Sequence, residues 1–145
     1  MTTSRIGRWP REHVGQKRSI DRSPVVDEVR ITFINHATFL LEFEDICVLT
    51  APLFSARAGP GGRLGPKRRR PPGRTIEELP PIDVIAVSHN HYDHLDLPTI
   101  TRLVELNPSA VVVVPLGDKA WLTQYGLPNV VELGWWEEHL RDRLQ

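Results

Sequence analysis

The sequence predicts an α/β protein in which a β-meander is followed by a β-α-β-α-β run. Three observations carry this. Residues 29–50 hold three short β-rich segments joined by tight turns. Beyond Pro80-Pro81, apolar runs of strand length alternate with segments of helical periodicity, the order that lays helices on a sheet. Hydrophobic residues make up 40% and charged residues 25% of 145 residues, a globular balance with room for one ordinary domain.

The elements follow in order. Residues 1–28 are polar, basic and aperiodic, and are expected to form a mobile arm. The remaining residues, 29–145, are expected to form the folded domain. Arg30–Ile34 alternates, Thr38–Phe43 follows, and Glu44-Asp45 turns the chain into Ile46–Thr50. Cys47 falls inside the third run, where a buried, inert thiol is expected. As the single cysteine it forms no internal disulfide, so a disulfide-stapled secreted fold is excluded. Residues 55–81 are rich in Gly and Pro and predict a long irregular loop. Asp83–Ser88 is a nearly continuous apolar strand, of the kind covered on both faces. Asp96 and Pro98 mark a helix start. Ile100, Leu103, Val104 and Leu106 give that helix an apolar stripe, and Asn107-Pro108 stops it. Val111–Val114 is a strand, Lys119–Tyr125 a short helix ending near Gly126, and Val130–Leu133 a last strand. Trp135 and Trp136 follow; in a strand they would face opposite sides, with one covering the core.

Charge is strongly segregated although Lys plus Arg and Asp plus Glu both total 18. Residues 57–74 carry seven basic side chains and no acidic one, whereas residues 75–145 carry four basic and eleven acidic. The chemistry sits in the acidic region. Three of the six histidines fall in His89-Asn90-His91-Tyr92-Asp93-His94, directly after an apolar strand, where α/β folds place their sites. His89 and His91 are two apart, which in extended backbone puts both rings on one side. Asp93 and His94 lie further round the turn and aim at a neighbouring position. Imidazole and carboxylate together suit Zn²⁺. Two pairs of ligands imply two cations close together, able to acidify a water and clamp an oxyanion. The competing assignment is a solvated polar loop whose Asp96 caps a helix. His13 and His139 are isolated and are read as surface residues.

His89-x-His91-x-Asp93-His94 resembles the signature of the metallo-β-lactamase-fold hydrolases. Further segments occur in the order seen in the branch of N-acyl-phosphatidylethanolamine-hydrolysing phospholipase D and its bacterial relatives. They are Asn35-His36-Ala37-Thr38, Leu49–Ser55, Gly65-Pro66-Lys67-Arg68, Leu79–Asp83, Ser88–Asp96, Val114–Gly117 and Glu132–Trp136. The resemblance implies the N-terminal half of an αββα sandwich with a dinuclear zinc site. His89 and His91 would help bind one metal, Asp93 and His94 the other. Asp93 would also steer or accept a proton during attack on a phosphodiester.

The resemblance also implies departures. Its members are longer, and their second half supplies another histidine for each metal and a bridging carboxylate. The expectation is a truncated copy, or half of a split protein, weakly active alone. The alternative is a non-catalytic remnant that binds metal or a partner. One sheet face would then expose apolar surface and invite a missing C-terminal half or a second copy. Ala51 stands where the branch carries aspartate, and Gly134 where it carries an acidic residue.

Three further residues are candidates for substrate binding: His36, Lys67 and Arg68. By resemblance His36 lies near the active-site rim; a hydrogen-bonded structural histidine is the equal alternative. Lys67-Arg68-Arg69-Arg70 suits a substrate phosphate, an anionic membrane surface or a solvated loop. Few aromatics interleave it, so specific nucleic-acid binding is not expected. No secretory signal or apolar span is visible, so the expected placement is cytoplasmic, with peripheral membrane contact allowed.

Overall fold

The computed structural model describes residues 28–140. The expected mobile arm therefore lies outside the described residues, apart from its last position. Six strands form one sheet in sequential order. They are β1 (Arg30–Asn35), β2 (Thr38–Glu42), β3 (Cys47–Thr50), β4 (Val84–Ala86), β5 (Val111–Pro115) and β6 (Val130–Leu133). β1, β2 and β3 are antiparallel neighbours, and β3 to β6 run parallel. Two helices, α1 (Leu97–Leu106) and α2 (Lys119–Gln124), make the crossovers from β4 to β5 and from β5 to β6.

This order decides which face is covered. Parallel crossovers are right-handed, so successive connections that step in one direction lay both helices on the same face. The register brings Leu40, Leu49, Ile85, Val112 and Val130 into one row across five strands. All five are buried and pack with Ile100, Leu103 and Val104 of α1 and Leu122 of α2. Side chains alternate along a strand, so the intervening positions form the other face. There Ile31, Leu41, Val48, Val84 and Val111 align across the sheet. Ile31 and Phe33 at the β1 edge are 65% and 61% exposed. The Phe33 and Phe39 rings lie 5.2 Å apart on that open side. Asp83–Ser88, expected to be covered on both faces, is therefore deeply buried on one face only, at Ile85 and Val87.

Two further sequence expectations are corrected, and so is the competing assignment for Asp96. Residues 55–81 are not uniformly irregular. Pro60–Gly62 and Ile76–Glu78 are single 3-10 turns, and Arg57 pairs with Lys67 in an antiparallel bridge. Main-chain bonds from Ala58 to Pro66 and from Arg68 to Ala56 flank that bridge. The glycines permit it: a Cβ on Gly59 or Gly65 would sit 2.2 or 2.4 Å from a carbonyl oxygen of the opposite segment. The second correction concerns the Trp pair. β6 ends at Leu133, Trp136 has φ +66°, and the indoles are 66% and 58% exposed, so neither covers the core. The third concerns Asp96. It occupies the N-cap of α1 without capping it by its side chain. Instead it accepts from Ser55 N–H, Ser55 Oγ–H and the Thr99 hydroxyl. The buried carboxylate thus ties the loop after β3 to the start of the helix.

Candidate metal centre

The centre lies beyond the carboxyl end of β4, in the segment that leads to α1. β4 runs on through Val87, whose N–H donates to Val113. The chain then turns sharply: His94 and Leu95 N–H both donate to the His91 carbonyl, at 2.9 and 2.7 Å. This turn gathers the imidazoles. The ring centres of His89 and His91 are 4.6 Å apart, and those of His89 and His94 4.1 Å. Asn90, between His89 and His91, donates from Nδ2 to Asp118 at 2.9 Å. Asp118 is buried beyond β5 and also accepts from Trp121 Nε1. No sequence motif pointed to Asp118; the buried carboxylate beside the His cluster becomes visible only once β5 lies next to β4.

His36 arrives from the other direction, in the two-residue turn between β1 and β2. Its Nε2 is 3.0 Å from Asp93 Oδ2 across a separation of 57 residues. His94 Nε2 is 3.6 Å from the same oxygen. One donor atom each from His36, Asp93 and His94 lie within 4.8 Å of one another, a spacing that suits a metal ion. His89 and His91 join this group through ring contact with His94 and with each other.

The electrostatics favour cation binding. Burial raises the Asp93 carboxyl, but its own backbone N–H, the His36 hydrogen bond and the nearby imidazoles outweigh that. The net effect holds it below the ordinary carboxylate range. Burial pushes His94 below the usual imidazole range, helped by His89 and opposed by Asp93. At neutral pH the site therefore presents a charged carboxylate and a neutral imidazole, the ligating forms of both. His94 Nδ1 is buried and has no hydrogen-bond partner. The unpartnered ring nitrogen and the close grouping of donor atoms from His36, Asp93 and His94 together fit a divalent cation.

The substrate-binding candidates line one cleft beside this group. It encloses about 880 Å³ and is walled by Phe33, Ile34, Leu53, Ala56 and Pro66, with Lys67–Arg70, His36 and Asp93 also lining it. Arg68 turns its guanidinium back onto the protein, donating to the Leu53 carbonyl at 2.6 Å and to that of Ser55 at 3.2 Å. Ala51 is buried at 4% exposure with φ +35°. Its N–H donates to Ala86 and its carbonyl accepts from Thr38. Aspartate tolerates such a left-handed backbone better than alanine does. Gly134 N–H donates to the Glu137 carboxylate, and nothing in the structure explains the absence of an acidic side chain at that position.

Residues 48–141 match the family described as Beta-lactamase superfamily domain. The chain is 41% identical over 111 residues to N-acyl-phosphatidylethanolamine-hydrolyzing phospholipase D 1 of Caenorhabditis elegans, covering 73% of this chain and 31% of that protein. It is 39% identical over 106 residues to the mitochondrial N-acyl-phosphatidylethanolamine-hydrolyzing phospholipase D of Saccharomyces cerevisiae, covering 73% and 22%. Among solved structures, isothiocyanate hydrolase from Delia radicum gut bacteria superposes with a TM-score of 0.56 at 21% identity, covering 71% of this chain and 41% of that one. The last likeness concerns the fold. The chain spans about a third or less of the length of the two curated relatives.

Proposed function

Because the chain belongs to the β-lactamase superfamily domain family, we propose that it carries part of the active site of a metal-dependent hydrolase that cleaves phosphodiesters of the phospholipid type. The supporting observation is the convergence of His36, Asp93 and His94, with His89 and His91 in ring contact beside them. Zinc is the proposed metal, since the donors are imidazole nitrogens and a carboxylate. In this assignment His89 and His91 serve one cation, and Asp93 and His94 the second. The chemistry such cations supply when bound is acidification of water and polarisation of the ester. Asp93, on the cleft side, orients the attacking water or takes its proton. Lys67, Arg69 and Arg70 meet the phosphate at the cleft rim, and Arg68 holds the rim in shape through its carbonyl contacts. The apolar wall of Phe33, Leu53 and Ala56 accommodates acyl chains. A lipid substrate is also suggested by the named activity of the 41% identical relative.

The described residues offer fewer than three protein ligands for each of two catalytic cations. A second polypeptide segment or a second copy would complete the set, and weak turnover is expected of these residues alone. A competing assignment, metal binding without turnover, draws on Ala51, whose methyl cannot accept the hydrogen bond a carboxylate would. The test combines metal analysis of the purified chain with hydrolysis of N-acyl-phosphatidylethanolamine in mixed micelles. Zinc uptake that His91→Ala and His94→Ala abolish, with slow metal-dependent release of phosphatidic acid, supports hydrolysis. Zinc uptake without release supports binding alone. No uptake overturns both.

A further inference from the structure

Resting on the metal-centre reading above, we propose that His36 is a positioning residue that donates from Nε2 to Asp93 Oδ2 and holds the Asp93 carboxylate in its ligating orientation.

The direction of the bond follows from chemistry. An ionised carboxylate has only acceptors, so at 3.0 Å the imidazole must supply the proton. That fixes the His36 tautomer with hydrogen on Nε2. The turn carrying His36 is itself held on both flanks. Asn35 Nδ2 donates to the Leu53 carbonyl, and the Thr38 hydroxyl donates to that of Ala51. The Thr50 hydroxyl donates to Ala37 and accepts from the Phe39 N–H. His36 has φ +42°, an uncommon conformation for a side chain other than glycine. A strained residue whose turn is held by these four hydrogen bonds aims its ring, rather than letting it sample solvent.

The neighbours make the constraint matter. Asp93 sits on a sharp turn and is partly exposed. The described contacts give its carboxylate few other side-chain partners: His94 is 3.6 Å away, and the His36 and His94 rings meet edge to face at 5.3 Å. Among the described residues, His36 is thus the donor brought to Asp93 from a distant turn. Outer partners of ligating groups commonly change metal affinity tenfold to a hundredfold.

The test uses Co²⁺ binding by the purified chain, read by visible absorption and by metal content after gel filtration, for wild type, His36→Phe and His36→Gln. Phenylalanine removes the donor; the glutamine amide restores it. We expect His36→Phe to lose roughly tenfold or more in Co²⁺ affinity with a shifted absorption band, and His36→Gln to recover to within about threefold of wild type. Thermal midpoints show whether each variant folds, and His36→Ala replaces the phenylalanine variant if that one does not. Unchanged affinity and spectrum in the donor-free variant overturn the role of His36 and leave the metal centre standing. Equal loss in the phenylalanine and glutamine variants also overturns it, because His36 would then be a ligand itself. A wild-type chain that takes up no Co²⁺ overturns the metal centre and this role together.

Discussion

Ala51 and His94 show how single residues shape the site. The left-handed backbone at Ala51 pushes its Cβ toward the following carbonyl oxygen, at a cost of about 1–2 kcal/mol. Glycine pays no such penalty but loses more chain entropy on folding. Ala51→Gly is therefore expected to stabilise the chain by about 0.5–1 kcal/mol, read as a higher urea midpoint with unchanged slope. His94 makes a pH prediction whose sign follows from burial. Its pKa in the fold lies below the ordinary 6.5, so the unfolded chain takes up this proton first. Stability from His94 is complete above pH 6.5 and drains as the pH falls below it. Asp93 is depressed from 3.8, so its contribution is complete above that value and is lost at still lower pH. The metal-free chain should show a thermal midpoint that declines in two stages on acidification. His94→Gln should remove the first stage and leave the second.

At the level of elements, the turn that displays His89 and His91 is held by a loop it does not belong to. Asn90 reaches Asp118 in the loop between β5 and α2, where Trp121 donates to the same oxygen. Asp118→Ala would leave two donors facing a hole, a loss of about 1–3 kcal/mol. It should also weaken zinc binding roughly tenfold without removing a ligand. Asp118→Asn keeps an acceptor oxygen and should restore most of the stability. Calorimetry alongside zinc titration separates the two effects. The long connection between β3 and β4 obeys the same logic. Arg68, from a basic run read as a candidate phosphate contact, satisfies the carbonyls of Leu53 and Ser55. Asp96 anchors Ser55 from the helix side.

At the largest scale, the described residues form an asymmetric sheet. Both helices cover one face of the sheet, and among the described residues the opposite face keeps Ile31, Phe33 and Phe39 exposed. An apolar sheet face of this kind favours association. The chain should therefore gain mass with concentration in sedimentation experiments. Ile31→Lys with Phe33→Lys should shift it toward monomer, since each buried large apolar side chain contributes about 1.5–3 kcal/mol and about 1.4 kcal/mol is a factor of ten. No change in the sedimentation profile would show that this face does not drive self-association. Among the described residues no helix is long and apolar enough to cross a membrane.

Sequence by itself determined the elements and their order. The stripe Ile100, Leu103, Val104 on α1, without its expected fourth member Leu106, which is exposed, and the runs Val111–Val114 and Val130–Leu133 are periodicities of the sequence, and they reappear in the helix and strands. It also determined the His89–His94 cluster, because those side chains are neighbours in the chain and need only one turn to meet. Tertiary structure alone decided the rest. His36 and Asp93 are 57 residues apart, and Asn90 and Asp118 are 28 apart. Their meeting depends on strand order and register, which no local pattern encodes. The same holds for Arg68 and Asp96. Their side chains could go to solvent or cap a helix, and the choice was made by which carbonyls and hydroxyls the packed sheet left within reach.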